Sequence, residues 1–297
     1  MRSTCTPLIT VLLTLTGFTP TQLAATPIQV TRAATQVVVS WPEAAASEFY
    51  LQVATNLAEP VAWKNATTAT WTNGSNFCST IEIGPDSHFY RLKAWDVLFD
   101  GTSTAAFRGY RQASFPGDQW IVTGNGELKA AVGAGGTHIV TVDEYDDFEL
   151  LWEWKTSVNG NSGVLYRVTE YYDQAWQSAP EYQLIDDAHY SLDPRQTSGA
   201  VYALIAPANR VLRSTGQWNQ CRLLVQNNHV EHWLNGSRVA EYELNSPWFR
   251  ALVASSPNFS PYLQFGKARK GYIAFQNWTP EVWFRNIRVR ALPADPG

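Results

Sequence analysis

The sequence predicts an all-β protein, a small N-terminal β-sandwich followed by a larger jelly-roll β-sandwich. Strand-length runs of alternating apolar and polar residues recur from Thr26 onward, bounded by turn-forming clusters. Nothing between them has the period or length of a domain-building helix. Residues 229–234 and 238–243 flank Asn235-Gly236, the dipeptide that adopts the positive φ angles of a two-residue hairpin turn.

Residues 1–25 carry Arg2, the apolar run Leu8-Ile9-Thr10-Val11-Leu12-Leu13 and the small-residue site Leu23-Ala24-Ala25, the pattern of a secretory signal. Pro7, Pro20 and the interspersed threonines keep this run below the roughly 20 residues of a membrane span. A secreted or periplasmic protein with no membrane partner is expected. Cys5 lacks the position that a lipid-anchored precursor would use. Cys78 and Cys221 are too few for a disulfide framework or a zinc site; they are read as unpaired core residues, although export would permit one bridge.

Residues 26–96 form the first sandwich, with strands at 36–41, 49–53, 79–83 and 89–94 and turns at Thr72-Asn73-Gly74-Ser75 and Gly84-Pro85-Asp86. Residues 97–292 form the second, with strands at 147–155, 163–169, 181–185, 218–226, 229–234, 238–244, 271–276 and 282–290; residues 293–297 are a tail. Long antiparallel strands of this kind stack as two sheets with one concave face. A net charge of −4 argues against a nucleic-acid partner. With 13 each of Trp, Tyr and Phe, the chain suits a sandwich that grips the flat apolar faces of sugars.

The Ser40-Trp41-Pro42 strand end and the closing strand Phe89-Tyr90-Arg91-Leu92-Lys93-Ala94 resemble fibronectin type III modules, read here as a spacer. The larger domain resembles the 3-keto-disaccharide hydrolase family, formerly a domain of unknown function, which has a concanavalin-A-like jelly-roll fold. The resemblance begins at Leu98-Phe99-Asp100-Gly101-Thr102 and runs through Phe148-Glu149-Leu150-Leu151-Trp152-Glu153-Trp154-Lys155, Gly160-Asn161-Ser162-Gly163-Val164-Leu165-Tyr166-Arg167 and Pro180-Glu181-Tyr182-Gln183-Leu184-Ile185-Asp186. It continues at Gly199-Ala200-Val201-Tyr202, Gly216-Gln217-Trp218-Asn219, Glu231-His232-Trp233-Leu234-Asn235-Gly236, Gly271-Tyr272-Ile273-Ala274-Phe275-Gln276 and Val282-Trp283-Phe284-Arg285-Asn286-Ile287. The chain departs at Asn277-Trp278-Thr279, where many relatives carry Asp-His-Gly. An Ala134-Gly135-Gly136 loop resembles the glycine-rich entry to the first core strand but carries no weight as a phosphate cradle.

The resemblance implies cleavage of glycosides bearing a 3-keto sugar. A ketone at C3 acidifies the C2 hydrogen, so a base can remove it, the C1 substituent is expelled, and water adds to the enone. Such a site needs a base, an acid for the leaving oxygen, and donors or a metal for the enediolate oxygen. Period-2 alternation sets Glu149, Glu153 and Lys155 opposite an aromatic face, and Glu181 and Gln183 opposite Tyr182 and Leu184. Glu181 is the preferred carboxylate and Glu153 the other; Glu149 reads as solvated. Arg167 either stabilises the enediolate or pairs structurally with Glu181. His232 alone reads as a core histidine; the resemblance makes it the candidate acid or base. Lys155, Asn161, Tyr166, Gln183, Tyr202 and Gln276 are expected to bind the sugar. Asp186, Asp187 and His189 cluster as loop-capping groups or as an oxygen-rich site that would suit calcium or magnesium. Two rivals stand beside this reading: a lectin-like sandwich that only holds glycan, favoured by the altered segment after Gln276, and a conventional glucanase in which Glu153 and Glu181 flank the scissile bond.

Overall fold

The computed structural model describes residues 9–11, 28–33, 36–42, 49–58, 61, 63–66, 70–82, 88–131, 137–190, 193–278 and 281–292. The chain divides into two compact units, Met1–Trp95 and Asp96–Gly297. The Leu23-Ala24-Ala25 site, the Gly84-Pro85-Asp86 turn and the Ala134-Gly135-Gly136 loop lie outside the described residues.

The first unit contains β1 (Ile9–Val11), β2 (Gln29–Ala33), β3 (Gln36–Pro42), β4 (Phe49–Ala54), β5 (Lys64–Asn65), β6 (Thr70–Asn73), β7 (Asn76–Glu82) and β8 (His88–Ala94). They form two sheets, in the orders β1-β8-β4-β5 and β2-β3-β7-β6. β3 alternates strictly, and its Val37, Val39 and Trp41 meet Phe49, Leu51, Tyr90 and Leu92 of the other sheet in one core. β1, from the segment read as a leader, pairs in parallel with β8.

The second unit holds β9 (Asp96–Phe99), β10 (Phe107–Gly109), β11 (Trp120–Val122), β12 (Leu128–Ala130), β13 (Ile139–Thr141), β14 (Phe148–Thr156), β15 (Asn161–Val168) and β16 (Glu181–Ile185). It continues with β17 (Asn219–Gln226), β18 (His229–Leu234), β19 (Ser237–Glu243), α1 (Pro247–Ser255), β20 (Tyr272–Phe275) and β21 (Val282–Ala291). One sheet runs β10-β13-β20-β15-β16; the other runs β11-β12-β21-β14-β17-β18-β19, with β9 also on β21. Phe148, Leu150, Trp152 and Trp154 of β14 share a core with Val164, Tyr166, Tyr182 and Leu184 of the facing sheet, the stacked jelly roll that the strand pattern predicts. Each apolar side chain of this size, fully buried, contributes roughly 1.5–3 kcal/mol of transfer free energy. The hairpin turn forms at Asn235 and Gly236, with φ of 48° and 84°.

Asp100 follows β9 and accepts from the Thr102 amide and hydroxyl, both at 2.8 Å, which closes the turn that opens the domain. Cys78 and Cys221 are buried and unbridged. The sequence pattern did not reveal α1, because only Phe249 and Val253 of its nine residues are buried. Its start is nevertheless well specified: Pro247 supplies the first helical φ, and the Ser246 side chain accepts from the Phe249 amide at 3.1 Å. Phe249 stacks on Tyr242 at 5.2 Å and fixes the helix to the sandwich.

Candidate active site

The antiparallel register of β15 and β16 sets Asn161 opposite Ile185, Gly163 opposite Gln183 and Leu165 opposite Glu181. Alternation then puts Asn161, Gln183 and Glu181 on the outer face of this sheet, while Ser162, Val164, Tyr166, Tyr182 and Leu184 point the other way. A side chain at 163 would collide with the Glu181 carboxyl, so glycine there lets the carboxylate lie across the neighbouring strand. Gln276 joins them from the end of β20, its amide bonded to the Gly163 carbonyl at 2.9 Å. Tyr202 is placed by its own amide, which donates to the Glu181 carbonyl at 3.0 Å.

These five side chains line a cavity of about 440 Å³. Its apolar walls come from loops: Trp176 from the 3₁₀ turn Ala175–Gln177, Phe259 and Tyr262 from the segment after α1, and Trp278 beyond β20. Trp176 meets Tyr262 edge to face at 5.3 Å, and Gln177 Nε2 donates to the Tyr262 hydroxyl at 3.0 Å. Arg250 of α1 ties the loop down by donating to the carbonyls of Phe265 and Gly266 at 2.8 and 2.9 Å.

Glu181 is the only carboxyl among the described residues of this lining. Burial pushes it up from the ordinary carboxylate range to about 8. The same burial, with a contribution from Glu181, raises the Tyr202 phenol. A carboxyl poised near neutral pH between aromatic walls and amides can exchange a proton with a bound sugar.

The structure brings together Asn161, Glu181, Gln183, Tyr202 and Gln276, and places the other expected residues elsewhere. Glu153 lies on the outer face of the opposite sheet, accepting from Arg285 Nη2 and Asn286 Nδ2, both at 2.7 Å. The Trp152 and Trp154 core layer stands between it and Glu181, so the carboxylate pair of a glucanase does not form. Lys155, on the same outer face, donates to Glu127 at 2.6 Å and stacks over Trp218 at 4.5 Å.

His232 is fully buried between the sheets, as its residue type alone suggested. One ring nitrogen faces the Gly199 carbonyl at 3.0 Å, the other the Tyr166 hydroxyl at 2.9 Å, and the ring stacks on Tyr182 at 4.4 Å. Burial pushes its imidazole down to about 4, despite the Gly199 bond that opposes the shift. His232 and Tyr166 therefore belong to the inter-sheet core. Arg167 would follow Asn161 and Gly163 onto the cavity face by alternation, but a register shift between Leu165 and Val168, with φ of 57° at Arg167, turns it away. It pairs with Asp147 at 3.2 Å and donates to the Asp146 and Asn227 carbonyls.

Asp186, Asp187 and His189 do not converge on a cation position. Asp186 accepts from the Thr215 hydroxyl at 2.6 Å and the Asn159 amide at 2.8 Å, and pairs with His189 at 2.5 Å. Asp187 is taken by Arg210 and by the Ser198 amide at 2.9 Å. Among the described residues, the one group with ligating spacing is His229, Glu231 and Glu241 on the β18–β19 hairpin, where Arg238 bridges both glutamates at 3.0 and 2.9 Å.

The sequence reading missed Trp176 and the walls formed by Pro257, Asn258, Phe259, Pro261 and Tyr262. Their only local signal was Ser246-Pro247, which marks a helix start and hence a loop after it. After Gln276, where the sequence reading expects a departure from the family pattern, Asn277 is buried against the Gln119 carbonyl at 3.2 Å and Trp278 reaches the cavity.

Residues 94–290 match the profile of a family described as the 3-keto-alpha-glucoside-1,2-lyase-like domain. A 3-keto-disaccharide hydrolase from Bacteroides thetaiotaomicron is 31% identical over 227 residues, which span 66% of this chain and 78% of that protein. A crystal structure of a candidate glycosyl hydrolase from Parabacteroides distasonis superposes with a TM-score of 0.62 at 29% identity, covering 66% of this chain and 93% of its own. A second from the same organism gives 0.53 at 27% identity, covering 67% and 99%.

Proposed function

The chain belongs to the 3-keto-alpha-glucoside-1,2-lyase-like family and is a glycoside hydrolase-type enzyme, and from that premise we propose that its cavity cleaves 3-keto-glycosides by elimination, with Glu181 as the proton carrier. The observation that supports this is the enclosed Glu181 carboxyl, raised to about 8 by burial. A carboxylate of that basicity is better matched to a carbon acid than an ordinary one.

In the reaction, ionised Glu181 takes the C2 proton, and the electron pair of the C2–H bond becomes the enediolate of C2, C3 and the C3 oxygen. The C1–O bond then breaks to give the enone. The departing oxygen takes a proton, which Glu181 now carries. Water adds across C1 and C2, with net consumption of one water and release of the aglycone and the 3-keto sugar. The rings of Trp176, Tyr262 and Trp278 supply apolar faces for the sugar and its aglycone.

The leader-like residues 1–25 support export, and the first unit is proposed as a fibronectin type III-like spacer. The test is aglycone release from a 3-keto-glucoside and from its unoxidised parent, with the keto substrate also deuterated at C2 and each assay repeated with a chelator. Release from the keto substrate alone, slowed by deuterium, is expected. Equal release from the parent would replace elimination with ordinary hydrolysis, and binding without release would make the domain a lectin.

A further inference from the structure

The enediolate oxygen needs a donor, and the ordering of three groups at the cavity edge indicates which. Gln183 Nε2 lies 3.3 Å from the Gln196 carbonyl and 3.5 Å from Asn161 Oδ1. A backbone carbonyl can only accept, so Gln183 must turn its nitrogen toward Gln196. The second hydrogen of that nitrogen then faces Asn161, which answers with its oxygen and turns its own Nδ2 away. Gln196 is itself held in place, because it closes the 3₁₀ turn Pro194–Gln196, whose start is capped by Asp193 accepting from the Arg195 amide at 2.8 Å. Gln183 is 1% exposed, so flipping its amide would hold its oxygen against the Gln196 carbonyl oxygen, a repulsive contact of two acceptors. The other consequence falls on Gln183 Oε1, the only side-chain polar atom among the described lining residues that is buried without a partner. A buried acceptor in that condition favours a ligand that brings a donor.

We infer that the Gln196 carbonyl fixes the polarity of two amides, so that Asn161 Nδ2 donates to the C3 oxygen of the substrate while Gln183 Oε1 accepts from a neighbouring sugar hydroxyl. This rests on the 3-keto-glycoside reading. The chemistry is complementary: a ketone oxygen offers only acceptor lone pairs, and the hydroxyls on C2 and C4 beside it can donate. As C2 loses its proton, charge grows on the oxygen that Asn161 holds, so this bond strengthens toward the transition state. Asn161 is then a catalytic residue, and Gln183 both a positioning residue and a specificity contact.

The experiment compares wild type with Asn161→Ala, Asn161→Leu and Gln183→Leu on a 3-keto-glucoside. Both Asn161 variants are expected to lose about 10²–10³-fold in kcat, with KM changed only a few-fold, because the bond is made chiefly in the transition state. Asn161→Leu retaining wild-type kcat would overturn the inference, since a leucine of similar size cannot donate. In parallel, binding of the unoxidised glucoside and its 2-, 4- and 6-deoxy analogues is measured by calorimetry. Wild type should bind the 2-deoxy or the 4-deoxy compound about 10–100-fold more weakly than the parent, and Gln183→Leu should erase that difference. Equal binding of the whole series by wild type, or a difference that survives in Gln183→Leu, would overturn the Gln183 contact. If wild type fails to turn over the keto-glucoside, the reaction class fails; the binding arm still reads the amide polarity.

Discussion

The two sheets of the larger unit carry the same signature and put it to different uses. β14 alternates Glu149, Glu153 and Lys155 with buried aromatic and aliphatic residues, and β16 alternates Glu181 and Gln183 with Tyr182 and Leu184. On β14 the polar face is covered by its own ion pairs: Glu149, expected to be solvated, is only 5% exposed because Arg222 and Arg290 close over it, Glu153 is bonded to Arg285 and Asn286, and Lys155 to Glu127. On β16 the polar face is walled by Trp176, Phe259, Tyr262 and Trp278, and among the described lining residues its carboxyl meets no cation. Glu149 and Glu181 are equally buried, so the difference lies in their partners: a buried carboxylate that meets cations is a structural group, and one buried without them is chemically poised. Alternation therefore identifies a polar face, and the loops above it decide what that face does.

The largest effect that can break this comparison is at Glu181. Glu181→Gln should reduce aglycone release from a 3-keto-glucoside about 10³-fold, within the range of general acid–base catalysis. It should also stabilise the fold at pH 8. The folded-state pKa lies near 8 and the ordinary value at 4.5, so the protonated form is favoured on folding and stability is lost as pH rises between them. Thermal melts from pH 4 to 9 should show that decline in wild type and not in the variant.

Arg167→Met should come next, as a folding defect. Among the described residues it leaves Asp147, whose side chain is 3% exposed, with the half-exposed Arg269 and the Asn227 backbone amide, and breaking a buried pair of this kind costs about 3–5 kcal/mol in denaturant titrations. Catalysis per folded molecule should persist.

His232→Ala should destabilise by about 2–4 kcal/mol, through the lost ring and the stranded Tyr166 and Gly199 groups. Wild-type stability should also fall below pH 6.5 toward 4, because the imidazole is pushed down to about 4 in the fold and protonates more readily when unfolded. The variant should lose that acid sensitivity while its kcat stays near wild type. The smallest effect is expected for Glu153→Gln: about 1 kcal/mol, since glutamine keeps an acceptor oxygen for the half-exposed Arg285, and unchanged turnover.

Much of the fold was legible from residue order. The strands of the larger unit from Phe148 onward, the Asn235-Gly236 turn and the face assignment of Glu181 and Gln183 follow from period-2 alternation and turn chemistry. The short strands β9 to β13 escaped because three- and four-residue segments give alternation nothing to repeat over. Arg167 was misplaced because one bulge reverses the facing of every residue after it, and a bulge at a non-glycine residue leaves no mark in the sequence. His232 was drawn to the site by its motif, although its flanking Val230 and Leu234 already placed it on an apolar face. The cavity walls come from loops separated by some eighty residues, and nothing local reports that Trp176 and Tyr262 meet.

The most direct test of the account is the pH dependence of kcat/KM for a 3-keto-glucoside from pH 5 to 10. If enclosed Glu181 is the base, the rate rises with pH through a single ionisation near 8 and then levels, and Glu181→Gln removes the rise. A profile already level at pH 6, or one unchanged in the variant, would contradict it.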